Sequence, residues 1–250
     1  MSAPPRTAVY TLGSRPELFQ RGAVFLSASI PYDKKFDPAQ DSARYRDNQR
    51  YLATARPEAV REAVAQLCRY IFQQGLNLVF GAHPAISPMA LDLARRFTPP
   101  AERQEKRVII FQSDIFRDSV PSATLELANW EAGELLWTAQ QGDPTWPDHG
   151  RAASLLHMRE LMVQSPSLLA AVFIGGMEGV VDESRLFAQY NWGKLRYAIG
   201  STGSASAELL ATDEAHHSGN HPGPAMRKLL GTSPSYPLVI ERIFADLGVP

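Results

Sequence analysis

The chain has 250 residues, which is long for one domain but ordinary for a single α/β sheet, so we expect one domain over residues 1–250. Hydrophobic residues make up 44% of the chain and charged residues 20%, a composition that provides a sizeable core and excludes extensive disorder. The formal net charge of -1 argues against nucleic acid as a partner, because binding a phosphate backbone requires a dense positive field.

The first predicted strand and helix are the clearest elements near the start of the chain. An apolar run over residues 23–27 predicts a strand, and Pro31 ends it because proline cannot join a regular ladder. After a polar segment, Pro57 stands where a first helical residue belongs, and apolar residues then recur at helical spacing until Gly75. These patterns predict one strand followed by one long amphipathic helix.

The rest of the chain repeats this order of strand and helix. Apolar runs predict further strands over residues 76–80, 107–111, 168–174 and 195–199. Helical spacing predicts helices over residues 89–97, 150–162, 180–190, 205–210 and 238–247. Residues 112–147 give no clear order of elements. Strands that are apolar throughout, separated by amphipathic helices, predict a three-layer Rossmann-like α/β fold around a central parallel sheet, with its core over residues 23–211.

A glycine turn follows the strand over residues 168–174 and is the strongest functional signal. The turn consists of Gly175, Gly176, Met177, Glu178 and Gly179. Glycines at a strand-to-helix turn allow positive φ and a close approach of ligand to backbone, and the helix start offers unpaired N–H groups to an anion. The residues alone are also compatible with a tight turn that only lets helix and sheet pack.

Three charged residues flank this turn. Asp182 and Glu183 open the following helix, where they either stabilise the helix dipole or, at a ligand-facing mouth, accept a ribose hydroxyl or act as general acid or base. Arg159 lies in an apolar-faced segment of the preceding helix, as a surface arginine or as a clamp for phosphate or carboxylate.

The run over residues 158–183 resembles the signature of the LOG superfamily of lysine-decarboxylase-like and cytokinin-activating phosphoribohydrolases, and more closely that of its SLOG relatives. In that signature a helix with an Arg-Lys pair precedes a strand that ends in Pro-Gly-Gly-x-Gly-Thr-x-x-Glu. Arg159 and the double glycine match, and Glu183 matches the final glutamate if one residue is inserted; without the insertion, Asp182 takes that place. The family's lysine, proline and threonine are replaced by Glu160, Ile174 and Val180.

Three other turns of the sequence are similar to the family layout, and each follows a predicted strand. They would meet the double-glycine turn at one edge of the sheet. The ligand-binding residues that the resemblance implies there are Ser27, Ala28, Ser29, Gly81, Ala82, His83, Arg159, Gly175, Gly176, Met177, Glu178, Gly179, Glu183, Gly200, Ser201 and Thr202. Backbone donors of the glycine turn would bind phosphates, Arg159 would neutralise charge, and Glu178 or Glu183 would bind ribose hydroxyls.

The resemblance implies a protein that binds a nucleotide-derived molecule. The phosphoribohydrolases use the arginine and the glutamate to cleave a nucleoside monophosphate at its glycosidic bond, so Arg159 and Glu183 would be catalytic in an enzyme. The SLOG relatives sense or process nucleotide-derived signals, including ADP-ribose-like molecules, in systems such as TIR-linked antiphage defence. We therefore expect a sensor, in a homo-oligomer or with a TIR-type or effector partner; the alternatives are an N-glycosidic hydrolase and a structural subunit with a vestigial pocket.

Other features of the sequence carry less weight. Cys68 falls at an apolar helix position, which favours an inert buried thiol and a reducing cytoplasm, and residues 1–10 lack the pattern of a signal peptide. His216, His217 and His221 form a cluster in a loop rich in serine, glycine and proline, which favours a polar loop over zinc. We expect a cytoplasmic protein with no metal, cofactor or membrane segment.

Overall fold

A parallel sheet lies at the centre of the protein. The computed structural model describes residues 9–32, 42–142, 147–215 and 221–249. The strands within these residues are β1 (Ala23–Ser29), β2 (Asn77–Phe80), β3 (Val108–Ser113), β4 (Gly133–Thr138), β5 (Leu168–Gly175) and β6 (Arg196–Ile199). Their order across the sheet is β4-β3-β2-β1-β5-β6, and every neighbouring pair is parallel.

Helices cover both faces of this sheet. They are α1 (Ser42–Thr54), α2 (Pro57–Gln73), α3 (Ser87–Phe97), α4 (Ser122–Asn129), α5 (Pro147–Val163), α6 (Glu178–Tyr190), α7 (Ser204–Ala215), α8 (Pro224–Thr232) and α9 (Tyr236–Asp246). Val24 and Leu26 of β1 enter a core shared with α2, α3, α4, α8 and α9, whereas Ala23 and Phe25 enter a second core shared with α1, α5, α6 and α7. The predicted three-layer Rossmann-like fold with a central parallel sheet is confirmed.

The strand order reverses between β1 and β5. From β1 the chain builds the sheet outward through β2 and β3 to β4, and it then returns to the other side of β1 with β5. Ser29, the last residue of β1, pairs with Gly175, the last residue of β5. In open α/β sheets, ligands bind outside the carboxyl ends of the strands at such a reversal. The fold therefore places the glycine turn where this class of sheet binds ligands.

Three regions of the chain contain elements that the sequence did not predict. Residues 112–147 contain a 3-10 helix (Asp114–Ser119), α4 and the edge strand β4. The polar segment before Pro57 contains α1, and the loop predicted before the last helix contains α8. Each of the predicted strands is present. Among the helices of the described ranges, none combines the length and apolar character that crossing a bilayer requires.

Candidate functional site

A cavity of about 780 Å³ opens at the carboxyl ends of β1, β2 and β3, beside the reversal of strand order. The turns after these strands form one part of its wall, and one face of α5 with the first turns of α6 forms the other. The wall includes apolar side chains such as Leu26, Phe80 and Met158 as well as charged ones. A cavity with apolar walls and a few converging polar groups is typical of small-molecule sites.

The structure brings ten of the sequence-predicted site residues together around this cavity. They are Ser27, Ala28, Ser29, Gly81, Ala82, His83, Arg159, Met177, Gly179 and Glu183. The other predicted residues lie outside its lining: Gly175, Gly176, Glu178, Gly200, Ser201 and Thr202. Residues of the turns after β1, β2 and β5 thus line one cavity, whereas the turn after β6 does not line it.

Ser27, Arg159 and Glu183 form the polar centre of the cavity. The Ser27 hydroxyl, near the end of β1, donates a hydrogen bond of 2.5 Å to Oε2 of Glu183 on α6. Nε of Arg159 on α5 lies 3.4 Å from Oε1 of the same carboxylate, an ion pair that does not reach hydrogen-bond geometry. The side chains of Arg159 and Glu183 are only 19% and 15% exposed, so this pair is screened little by solvent.

Arg159 also contacts the other carboxylate of the α6 start. Its Nη1 donates a hydrogen bond of 3.0 Å to Oδ2 of Asp182, whose side chain is 42% exposed and does not line the cavity. Its Nη2 lies so close to Gly179 that a Cβ added to this glycine would be 2.7 Å from the nitrogen. The arginine is therefore balanced by two carboxylates, and of these Glu183 is the one that lines the cavity.

The environment of Glu183 changes its acidity. Burial raises the pKa of the Glu183 carboxyl above its ordinary value, and the charge of Arg159 and the hydrogen bond from Ser27 reduce this rise without cancelling it. A carboxyl whose pKa is raised exchanges its proton closer to neutral pH than an exposed one does. Glu183 can thus accept hydrogen bonds from sugar hydroxyls or transfer a proton.

The double glycine allows the tight turn, but the backbone N–H groups of both glycines donate hydrogen bonds within the protein. Gly175 and Gly176 have φ of 60° and 90°, as the positive φ expected from the sequence requires. The N–H of Gly175 donates to the hydroxyls of Thr202 and Ser206, and the N–H of Gly176 donates to the carbonyl of Ser29. These two amides therefore hold the turn against the sheet instead of facing a phosphate, which corrects the role given to them above.

The last predicted turn, over residues 200–202, holds the glycine turn in place through a hydrogen bond outside the cavity lining. Thr202 is fully buried, and its hydroxyl donates 2.6 Å to the carbonyl of Ile199 while it accepts from Gly175. Ser201 is buried and its carbonyl accepts from Arg56. The turn over residues 200–202 lies at the end of β6, one strand beyond the cavity edge at β5, which explains why it does not line the cavity.

The turn after β2 is held in an uncommon backbone conformation. Ala82 has φ of 51° although it carries a side chain, and it is 2% exposed. Nε2 of Gln112 on β3 donates a hydrogen bond of 2.7 Å to the Gly81 carbonyl, and Nδ1 of His83 accepts from the amide of Ala85. Left-handed non-glycine residues are costly, and they concentrate at binding sites, where the surroundings hold them in place.

Several lining residues were not predicted from the sequence, among them Arg61, Gln112, Phe116 and Arg151. A signal for α5 was present, because Arg151, Leu155, Met158 and Arg159 recur at helical spacing and share one face. Phe116 gave no signal, since it lies in the region whose elements could not be ordered from the sequence.

The predicted histidine cluster lies only partly within the described residues. His216 and His217 fall outside them, and the ring of His221 contacts Nη2 of Arg196, with 2.9 Å to its Nε2. Within the described ranges, no three His, Cys, Asp or Glu side chains come together in a way that could hold a metal ion.

The sequence matches a known protein family. Residues 50–222 match the model of the SLOG cluster3 family. The matched range contains α2 and the strands β2 to β6, together with Arg159, the double glycine and Glu183. It confirms the resemblance found in the sequence. No curated protein matches the chain.

Proposed function

The chain belongs to the SLOG cluster3 family, and on that premise we propose that its cavity binds a nucleotide-derived small molecule, an ADP-ribose-like molecule or a nucleoside phosphate. Family membership makes it a nucleotide-related Rossmann-like protein. One observation carries the finer proposal: Ser27, Arg159 and Glu183 converge inside a cavity at the strand reversal. A carboxylate beside a hydroxyl and a guanidinium suits the ribose of a nucleotide.

The charges of the cavity support an anionic ligand. Its described lining contains the arginines Arg61, Arg151 and Arg159 but Glu183 as its one carboxylate. Guanidinium groups bind phosphate oxygens in bidentate fashion, and Gly179 and Val180 of the first turn of α6 line the cavity at the positive end of that helix's dipole. The apolar side chains of the same wall offer a surface to a base.

The proposed role is that of a sensor. A nucleotide bound at the strand reversal would bridge α5, α6 and the turns after three strands, so that binding stabilises their relative positions. The bound state would then be recognised by a partner, of the TIR or effector class that the family resemblance implies, or by further copies of the chain in a homo-oligomer. The cell compartment we expect for this role is the cytoplasm.

The proposal is tested by finding the ligand. Small molecules released by denaturing the purified protein are identified by mass spectrometry, and thermal unfolding is then measured with AMP and with ADP-ribose. We expect a ligand-induced rise in Tm that Arg159→Ala removes. Arg185→Ala is the matched control, because Arg185 is an exposed α6 arginine outside the lining. Absence of any shift at millimolar ligand would instead favour a structural subunit with a vestigial pocket.

A second candidate function is hydrolysis at an N-glycosidic bond. The raised pKa of Glu183 and its hydrogen bond from Ser27 favour it, because this carboxyl could act on a sugar hydroxyl or on water. Sustained release of free base from AMP or ADP-ribose, abolished by Glu183→Gln, would establish the enzyme. A ligand that binds stoichiometrically and emerges intact would exclude hydrolysis for that ligand.

A further inference from the structure

We infer that a surface at the end of α3 binds a carboxylate-rich segment of a partner protein. This surface, the arginine patch, consists of Arg69 on α2, of Arg95, Arg96 and Phe97 in the last turn of α3, and of Arg103 in the segment that joins α3 to β3. None of these five residues lines the cavity. The inference therefore goes beyond the proposed function and holds whatever molecule the cavity binds.

The arginine patch lies at the end of the sheet opposite the cavity. The turn after β2 lines the cavity, and α3 starts at Ser87, directly after this turn. Because β2 and β3 are parallel, α3 must lead the chain back to the edge where β3 begins. Its 11 residues cover about 16 Å along the helix axis. The patch is therefore a surface separate from the cavity.

Contacts between its members fix the arginine patch on two helices. The guanidinium of Arg69 lies 5.6 Å from the centre of the Phe97 ring. Nη2 of Arg103 donates a hydrogen bond of 3.3 Å to the carbonyl of Arg95. Phe97 is partly buried and packs against the core that α2 and α3 share. The arginines thus form one continuous surface that needs little rearrangement to receive a partner.

Most of the positive charge of the patch has no acidic partner. Arg96 is paired with Asp92. In contrast, Arg69, Arg95 and Arg103 form no ion pair with any residue that the structure describes. Nε of Arg103 is also shielded from solvent and has no hydrogen-bond partner among those residues. Unpaired guanidinium donors at fixed positions are what a carboxylate partner requires.

The acidic residues next to the patch are already paired with other arginines. Glu102 pairs with the fully buried Arg107, and Glu105 pairs with Arg21. These carboxylates compensate the charges at the starts of β3 and β1. They leave the charge of Arg103 uncompensated.

The helix dipole alone does not explain the patch. Cations in the last turn of a helix stabilise its negative end, and Arg95 and Arg96 are placed to do so. Arg103 adds a direct hydrogen bond to that end. Arg69, however, belongs to another helix, and its charge lies over the Phe97 ring. Four cations at one helix end exceed the roughly half an elementary charge of the dipole.

A protein segment rich in carboxylates fits this surface better than other polyanions do. Guanidinium groups bind carboxylates in bidentate fashion, and arginine and aromatic residues are enriched in protein interfaces. Phe97 offers an apolar contact but is held against the core, so it cannot enter a bilayer as an interfacial anchor would. The formal net charge of -1 does not supply the field that nucleic acid requires.

Fluorescence anisotropy of the full chain with a labelled peptide tests the inference. The probe is Glu-Asp-Glu-Leu-Glu-Asp-Glu, and its neutral counterpart carries Gln and Asn in place of Glu and Asp. We expect the acidic peptide to bind at least about tenfold more tightly than the neutral one at about 50 mM salt, and to weaken as salt is raised. Arg69→Glu combined with Arg95→Glu should weaken its binding at least about tenfold.

The matched control is Arg46→Glu combined with Arg185→Glu. It makes the same charge change at exposed arginines of α1 and α6, two helices on the other face of the sheet. This control should change peptide binding by less than about threefold. The titrations contain no nucleotide, so their result is independent of the proposed function.

Three results would overturn the inference: a Kd weaker than about 1 mM for wild-type protein, equal binding of the two peptides, or equal losses in the two double variants. Tighter binding of phosphatidylserine vesicles or of single-stranded DNA than of the peptide, lost in the patch variant, would overturn it in favour of that polyanion. If the charge reversal lowers the Tm, Arg69→Gln combined with Arg95→Gln replaces it, with an expected loss of about threefold.

Discussion

The hydroxyl of Ser27 donates a 2.5 Å hydrogen bond to Oε2 of Glu183, two residues 156 positions apart in the chain. Ser27 belongs to β1 and Glu183 to the helix that follows β5, so this bond crosses the reversal of strand order from one half of the sheet to the other. The carboxylate is held in place before a ligand enters, which is how binding sites reduce the cost of ordering their polar groups.

Replacing Glu183 by glutamine should change how stability depends on pH. The folded-state pKa of this carboxyl lies above its ordinary value of 4.5, so the unfolded chain loses the proton first as pH rises. Wild-type stability should therefore fall through the window from 4.5 up to the folded-state pKa. We expect the Tm of Glu183→Gln minus that of wild type to increase between about pH 4 and about pH 7.5. Thermal unfolding without ligand at several pH values measures it.

The control for this experiment is Glu62→Gln, which removes an exposed carboxylate from α2 and reports the general effect of one lost charge. If the Tm of Glu183→Gln minus that of wild type instead decreases with rising pH, the prediction is wrong. That result would mean that Arg159 and Ser27 lower the pKa of Glu183 by more than burial raises it, so that the fold stabilises the charged carboxylate.

Asp182 and Glu183 should differ in their effect on ligand binding. Both contact Arg159, but Glu183 alone of the two lines the cavity. We expect Glu183→Gln to weaken nucleotide binding about tenfold, because hydrogen bonds to a charged group contribute more than neutral ones. Asp182→Asn should stay within about threefold of wild type. Titration with ADP-ribose compares them, and a larger loss for Asp182→Asn would give Asp182 the place of the family's glutamate.

Alanine at Gly176 should destabilise the fold by more than its backbone angle alone requires. Its Cβ would lie 2.2 Å from Cγ2 of Val180, and φ is 90°. Gly193 has a similar φ of 88°, with no atom within 4 Å of the added Cβ. Gly193→Ala should therefore cost about 1 kcal/mol and Gly176→Ala about 3 kcal/mol or more in the free energy of unfolding. Urea unfolding measures both. Equal losses would show that α6 moves to admit the methyl group.

The parallel sheet could be predicted because its buried strands can be recognised in the sequence as apolar runs. β1, β2, β3, β5 and β6 are apolar runs, since both faces of each strand are covered by helices. β4 lies at the sheet edge and is only partly buried, so Glu134 and Leu135 are half-exposed and the apolar run is interrupted. α1 is strongly polar, and its one large apolar contribution to the core is Tyr51 among the described side chains.

The site could be predicted only where one continuous segment contains both the glycine turn and the charged residues that flank it. The run from Arg159 to Glu183 follows the family signature, and the cavity forms beside it. The roles of the glycine amides could not be predicted, because the hydroxyls that bind Gly175 come from Thr202 and Ser206, on the far side of β6 in the chain. Periodicity describes which residues share a face, whereas hydrogen-bond partners across elements depend on the assembled fold.

Removing the Thr202 hydroxyl should weaken the fold and leave the ligand site intact. This buried hydroxyl accepts from the N–H of Gly175 and donates to Ile199, whereas Ser206 remains as a second acceptor. Valine keeps the shape but loses both bonds, so Thr202→Val should lower the free energy of unfolding by about 1 to 2 kcal/mol. Thr212→Val, at an exposed threonine of α7, should change it by less than about 0.5 kcal/mol.

The same Thr202→Val variant separates a supporting turn from a ligand-binding one. Because residues 200–202 do not line the cavity, the folded variant should bind nucleotide within about twofold of wild type in titrations well below its Tm. A protein that keeps its stability but loses nucleotide binding would place the Thr202 hydroxyl against the ligand, as the family resemblance first implied. Loss of stability with retained binding would instead show that this hydroxyl stabilises the fold by holding Gly175 in its turn and does not contact the ligand.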